Sequence, residues 1–316
     1  MDSFKLLRPR AVLVALLAGA IAALVASRLN GLVLDLSGLP PRAFSRYVAP
    51  FIEEALKGVF VVWLVRRGRV GFLVDAAILG FAVGTAFALV ENVEYLRAVS
   101  EARVSLWIAR GLGTAILHGA ATAIFAVISR SLADRHPDSG AAFLPGLAVA
   151  TAIHSLFNHF VLPPLVATAL LLVALPAIFL VVFEHSEKVT RDWLALGLDG
   201  ELELLESILS GDVLDTRVGQ YLQSLRSHFP GTVVADMLCL VRIHLELSVR
   251  AKGLLLAQEA GFKLPIGKDV RDNLRELRYL EGSLGRTGCL AVKPILRRTS
   301  RDLWQIYKLE EAGEGA

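Results

Sequence analysis

Residues 46–65 read RYVAPFIEEALKGVFVVWLV, an apolar run that carries Glu53, Glu54 and Lys57 in its first half. A membrane-spanning helix needs about 20 mainly apolar residues at 1.5 Å each. Ionisable groups inside such a helix are costly enough to mark functional sites by default. Glu53 and Lys57 stand four apart and share a helix face, with Glu54 turned about 100° away. Lys57 can neutralise Glu53, leaving Glu54 to be satisfied elsewhere. Two adjacent carboxylates at membrane depth fit a site that holds water, a proton or a metal, and a buried structural ion pair is the plainer alternative.

Further spans read outward from this one, near residues 11–34, 72–93, 106–128, 143–161 and 165–183, about six in all. The first follows Lys5, Arg8 and Arg10 in the manner of a signal peptide. It shows no small-residue cleavage site before a polar start, so it is read as a retained span. Charge separates the chain into two parts: residues 1–183 hold 15 Lys or Arg and 10 Asp or Glu, against 18 and 20 in residues 184–316. The expected fold class is therefore all-α, a polytopic membrane helix bundle over 1–183 followed by a soluble α-helical domain over 184–316. A net charge of +3 with a slightly acidic tail gives no basic face for nucleic acid. Cys239 and Cys289 lack the spacing of a zinc site, which indicates a reducing compartment around the tail and no disulfide framework.

Lys and Arg near span ends favour the cytoplasmic side. Lys5, Arg8, Arg10, Arg66, Arg67, Arg69, Arg130 and Arg135 fall on one side, and Arg42, Arg46, Arg97 and Arg103 on the other. Both termini, and the tail, are thus expected in the cytoplasm. In that topology the polar residues of spans two to five fall between the outer surface and the mid-plane. These are Glu53 and Glu54, then Phe87-Ala-Leu-Val-Glu91-Asn92, then His118, then His154-Ser-Leu-Phe-Asn158. Costly side chains from four helices at one depth suit a shared site. Gly80 and Gly84 form a small-xxx-small pair, and Gly111, Gly113 and Gly119 flank His118, as close helix approach in lipid requires. His159 reads as an interfacial residue, and Arg110 as a structural partner of Glu91 or Glu94 or a snorkelling side chain.

Hydrolysis of an amide uses this set well. A carboxylate acts as general base on water, a histidine orients that water, and an asparagine NH₂ donates to the developing oxyanion. Alternatively, carboxylates and imidazoles hold Zn²⁺ with a position open for water, whose pKa falls to about 7. Such an ion would also offset the charge of Glu53, Glu54 and Glu91. The chain has no HExxH, GxSxG or GxGD motif and no defensible serine–lysine pair. A transporter that relays protons or ions through Glu and His is the first rival reading, and a non-catalytic membrane scaffold the second.

In order along the chain, Glu53-Glu54-x-x-Lys57, Phe87-x-x-x-Glu91 with Asn92, His118, and His154-x-x-x-Asn158 resemble the PrsW family of intramembrane proteases, relatives of the CAAX prenyl endopeptidases. The resemblance covers roughly residues 45–160. In the CAAX peptidases the second element ends in His, so Glu91 sides with PrsW and argues against prenylated substrates. The resemblance implies Glu53, Glu54 and Asn158 as catalytic residues, Glu91, His118 and His154 as metal donors, and Lys57, Phe87 and Asn92 in support. It implies zinc as cofactor, with a metal-independent glutamate mechanism left open. The implied partners are a lipid bilayer and a membrane-anchored protein substrate, such as the anti-sigma factor that PrsW relatives cleave on its outer side. The implied location is the cell membrane.

The tail carries leucine-rich helical periods near 201–209, 216–228, 232–258, 270–284 and 291–307. They are divided by turn signals at Gly211, Pro230-Gly231, Pro265-Ile-Gly267 and Gly285. It holds no phosphate loop, metal cluster or nucleophile motif. Arg297, Arg298 and Arg301 read as a solvated face, and the domain is expected to bind a protein partner or self-associate.

Overall fold

A computed structural model describes residues 7, 9–98, 108–136, 139–262, 267–296, 304 and 309. Arg103, Pro265, Ile266, Arg297, Arg298 and Arg301 lie outside the described residues, as does the side chain of Arg110. Every regular element among the described residues is helical. The chain divides into one compact unit ending at Glu187 and another beginning at Lys188.

The first unit contains α1 (Pro9–Ser37), α2 (Ala49–Arg66), α3 (Leu73–Ala98), α4 (Thr114–Arg135) and α5 (Leu144–Asn158). The chain leaves it within α6 (Pro164–Ser210). Among the described residues, five helices are long and apolar enough to cross a membrane: α1, the 73–95 part of α3, the 111–135 stretch, the 140–158 stretch, and 166–186 of α6. The sixth expected span, α2, is an 18-residue helix that misses this standard because Glu53, Glu54, Lys57 and Arg66 load its short length with charge. Its buried face includes Glu53, Glu54, Lys57, Val61 and Leu64, while Phe51, Val59 and Trp63 turn outward. α1 likewise turns Leu13, Leu17, Ile21 and Leu24 outward, each more than half exposed, as lipid-facing residues should be.

Small residues set the helix spacing. A Cβ on Gly84 would lie 2.1 Å from the His118 carbonyl oxygen, and one on Gly19 would lie 2.1 Å from that of Val83. α3 and α4 therefore touch backbone to backbone at the level of His118, and α1 sits equally close to α3. Gly84→Ala is expected to force α3 from α4, lowering stability by about 1–3 kcal/mol together with activity. Gly31→Ala, where a Cβ meets nothing within 4 Å, should change neither; thermal unfolding in detergent checks both.

Two π-helical turns, Phe44–Val48 before α2 and Ile108–Gly113 before α4, lead into the helices that carry the polar residues. The first is fastened to the end of α5. Ser155 donates to the Arg46 carbonyl (2.7 Å), Asn158 donates to the Ser45 carbonyl (2.9 Å), and His159 bonds the Tyr47 hydroxyl (3.0 Å). Arg130, one of the charges read as orienting the chain, is fully buried, pairs with Asp134 and donates to the Gly71 carbonyl (2.7 Å). It ties the α2–α3 connection to α4.

The second unit packs α8 (Gly231–Glu259) on α9 (Lys268–Leu296), with α7 (Arg217–Ser224) ahead of them. Its core includes Leu222, Met237, Leu240, Ile243, Leu247, Leu274, Leu277 and Val292. α9 is broken at Gly285, where φ is 60° and the glycine turn signal takes effect. Lys252 is buried against Glu201 (2.7 Å), which also accepts from Ser248 (2.7 Å).

Candidate functional site

The helix directions gather the site. Glu53 and Glu54 lie in the first turns of α2 and His118 in those of α4, while Glu91 lies in the later part of α3 and His154 in that of α5. Because α2 and α4 run opposite to α3 and α5, the starts of one pair meet the ends of the other.

Lys57 stands at the centre of the cluster, fully buried. Its Nζ donates to Glu54 Oε1, three residues back, at 2.5 Å, rather than to Glu53 as the four-residue spacing suggested. It also donates to His118 Nδ1 at 2.8 Å and lies 4.6 Å from the centroid of the Phe87 ring. Since Lys57 is a donor, His118 Nδ1 is the acceptor, which leaves the hydrogen on Nε2, 2.9 Å from Glu91 Oε2. Glu54 Oε1 also faces His154 Nδ1 at 2.9 Å. That contact places the His154 hydrogen on Nδ1 and turns the Nε2 lone pair toward Glu53 Oε2, 3.8 Å away. The two imidazoles meet edge to face with centroids 4.6 Å apart.

Glu53 differs from its neighbour. Its Oε1 accepts from Asn30 Nδ2 on α1 at 2.9 Å, whereas its Oε2 is buried with no hydrogen-bond partner. A buried, unpartnered carboxylate oxygen is costly, and here it is aimed at an imidazole lone pair. One donor atom each from Glu53, His118 and His154 lies within 4.8 Å of the others, all buried. Two imidazoles and an anionic oxygen are donor types suited to zinc; both nitrogens of His118 are engaged here, by Lys57 and Glu91, so His118 would ligate only by giving up one of those contacts. Glu54 bonds the distal nitrogen of His154 as an outer-shell carboxylate does for a metal-bound histidine.

Of the nine residues singled out in the sequence, Glu53, Glu54, Lys57, Phe87, Glu91, His118 and His154 come together. Glu91 accepts from His118 on the side away from Lys57, with a third of its side chain exposed. Glu53 is the carboxylate of the converging Glu/His/His group. Asn92 is removed by one layer: it donates to the Gly111 carbonyl (3.2 Å) and accepts from Thr114 (3.0 Å), holding the π-turn before α4. Asn158 is half-buried at the end of α5, with one N–H committed to Ser45. Asn30 is the residue that sequence reading passed over, and its signal was a lone amide near the end of the first apolar run. An apolar cavity of about 280 Å³ lies beside the two histidine helices, lined by Leu117, Ile153, Phe157, Leu170 and Leu171 among others.

The model of the PrsW family of intramembrane metalloproteases matches residues 8–183, which covers α1 to α5 and most of the spanning part of α6. The chain belongs to the PrsW family. It is accordingly an intramembrane protease and a multi-pass membrane protein. No curated protein and no solved structure matches the chain. The matched region contains the clustered side chains of α2 to α5, and its buried Glu/His/His group could hold a metal ion.

Proposed function

We propose that the chain hydrolyses a peptide bond of a membrane-anchored protein at a centre built from Glu53, His118 and His154. The buried, unpartnered Glu53 Oε2 facing His154 Nε2 carries this reading. These three residues would hold zinc, which when bound supplies a Lewis acid and a nucleophile formed from water at neutral pH. Glu54 fixes the ring and tautomer of His154. Lys57 balances the Glu54 charge and orients His118. Glu91, bonded to His118 and partly exposed, is placed to take a proton from the site and return it to the leaving amine. Asn158 has a second N–H beyond the one spent on Ser45, and that donor serves the oxyanion.

A second reading has its own observation. Lys57 already supplies a cation between Glu54 and His118, so Glu53 can instead act as the general base on water without a metal. The purified protein, incubated in detergent with a membrane-anchored peptide, separates the two. We expect cleavage with stoichiometric zinc in wild type, loss of both in His154→Ala, and a loss in kcat of about 10²–10³-fold with zinc retained in Asn158→Ala. Cleavage that survives complete chelation would select the metal-free reading. Well-folded wild type that leaves a broad panel of anchored peptides intact would defeat both.

The proposal extends to organisation. Residues 1–183 act as the protease domain, and residues 184–316 form a cytoplasmic helical domain that binds a regulatory partner or a second copy. Both termini lie in the cytoplasm, and an anti-sigma factor or similar regulator is the substrate. The Lys and Arg distribution supports this orientation. A membrane-impermeant thiol reagent applied to intact cells should leave Cys239 and Cys289 unlabelled until the membrane is opened.

A further inference from the structure

We infer that Asn30 is a positioning residue for the hydrolytic centre: its amide engages one oxygen of Glu53 and so commits the other to the two histidines. This rests on the assignment of Glu53 made above. Ala23, Ala26 and Asn30 are spaced three and four apart and share one face of α1. Ala23 and Ala26 are buried against Phe87, with Leu56 and Val90 alongside. One turn earlier Gly19 rests on the Val83 carbonyl. This run of small residues seats α1 on α3 and delivers the Asn30 side chain to α2, where Nδ2 donates to Glu53 Oε1 at 2.9 Å.

The orientation of the amide follows from chemistry. Against an ionised Glu53 the reversed amide would set Oδ1 on a carboxylate oxygen with no hydrogen between them, so the NH₂ is assigned toward Glu53. Oδ1 is consequently turned away, buried and without a partner. Rotation about the last torsion of a glutamate is soft and roughly two-fold, so a carboxylate without this contact would exchange or tilt its oxygens. A single donor on Oε1 removes that freedom and leaves Oε2 facing His154 Nε2. Asn30 acts through Glu53 and touches neither histidine in the observed hydrogen-bond network.

The test is zinc affinity, measured on metal-free protein in detergent by competition with a chromogenic chelator, alongside kcat, KM and Tm. Asn30→Ala removes the donor, and Asn30→Asp replaces it with an acceptor at nearly constant size. Both are expected to weaken zinc binding by about 10–100-fold, as loss of an outer-shell partner does. They should also lower kcat with little change in KM, while Ala23 and Ala26 keep the helix seated and Tm steady. Ala26→Leu serves as the packing control, since it disturbs the α1–α3 contact without touching the donor. Zinc affinity within about twofold of wild type in both Asn30 variants would overturn the proposal. So would an affinity that falls only in step with Tm, with Ala26→Leu behaving alike. Glu53→Gln separates this failure from the larger one. If wild type binds no zinc, as Glu53→Gln should not, the metal reading fails and this inference with it; if wild type binds zinc and the Asn30 variants match it, only the role of Asn30 is lost.

Discussion

Glu53→Gln should reduce cleavage by about a thousandfold or more while leaving the fold intact. The substitution keeps an acceptor at Oε1 for Asn30 and removes negative charge from a buried oxygen that has no hydrogen-bond partner. Such an exchange is expected to hold Tm steady or raise it, the usual trade between a strained functional group and stability. Zinc content should fall together with activity, because the Glu53 oxygen is the sole anionic donor in the converging Glu/His/His group. The comparison is Glu91→Gln, which keeps a polar group beside His118 at a partly exposed position and should retain zinc. Cleavage by Glu53→Gln above about a tenth of wild type would remove Glu53 from the centre.

Lys57→Met should be the most destabilising substitution at the site, by about 3–5 kcal/mol, the range for breaking one partner out of a buried ion pair. Lys57 is fully buried, 2.5 Å from Glu54 Oε1 and 2.8 Å from His118 Nδ1. Its removal leaves the Glu54 carboxylate in a low-dielectric interior without the adjacent ammonium and takes the hydrogen bond from His118 Nδ1. Adding Glu54→Gln to Lys57→Met should restore much of the stability, since both charges are then gone, but none of the activity. A double-mutant cycle on thermal unfolding in detergent measures the coupling. A Lys57→Met protein within about 1 kcal/mol of wild type would show the pair to be far better solvated than its burial implies.

The expense of burying charge made the candidate residues visible in the sequence. Glu53, Glu54, Lys57, Glu91, His118 and His154 stand out because an apolar run tolerates such groups only for a reason, and the structure gathers all six. Gly80 and Gly84 were legible for the same kind of reason, since a glycine in a packed span permits backbone contact. Harder to read was α2, whose charges sit on a buried face while Phe51, Val59 and Trp63 turn outward. The role of each carboxylate was not legible. Nothing in the motif spacing separates a Glu53 that keeps an open oxygen from a Glu54 that is held by Lys57 and His154, because the difference lies in which neighbouring helix reaches each one.

Sequence alone determined the all-helical membrane bundle, the family's motifs and the identities of the clustered side chains, because hydropathy and the desolvation of charge act residue by residue. Tertiary structure decided the partners: Asn30 on Glu53 rather than elsewhere, Glu91 on His118, and Asn158 fastened to Ser45. Hydrogen bonds between helices depend on backbone approach and rotation. Here those are set by Gly19 against Val83 and Gly84 against His118, contacts between residues 64 and 34 positions apart in the chain that no local pattern encodes.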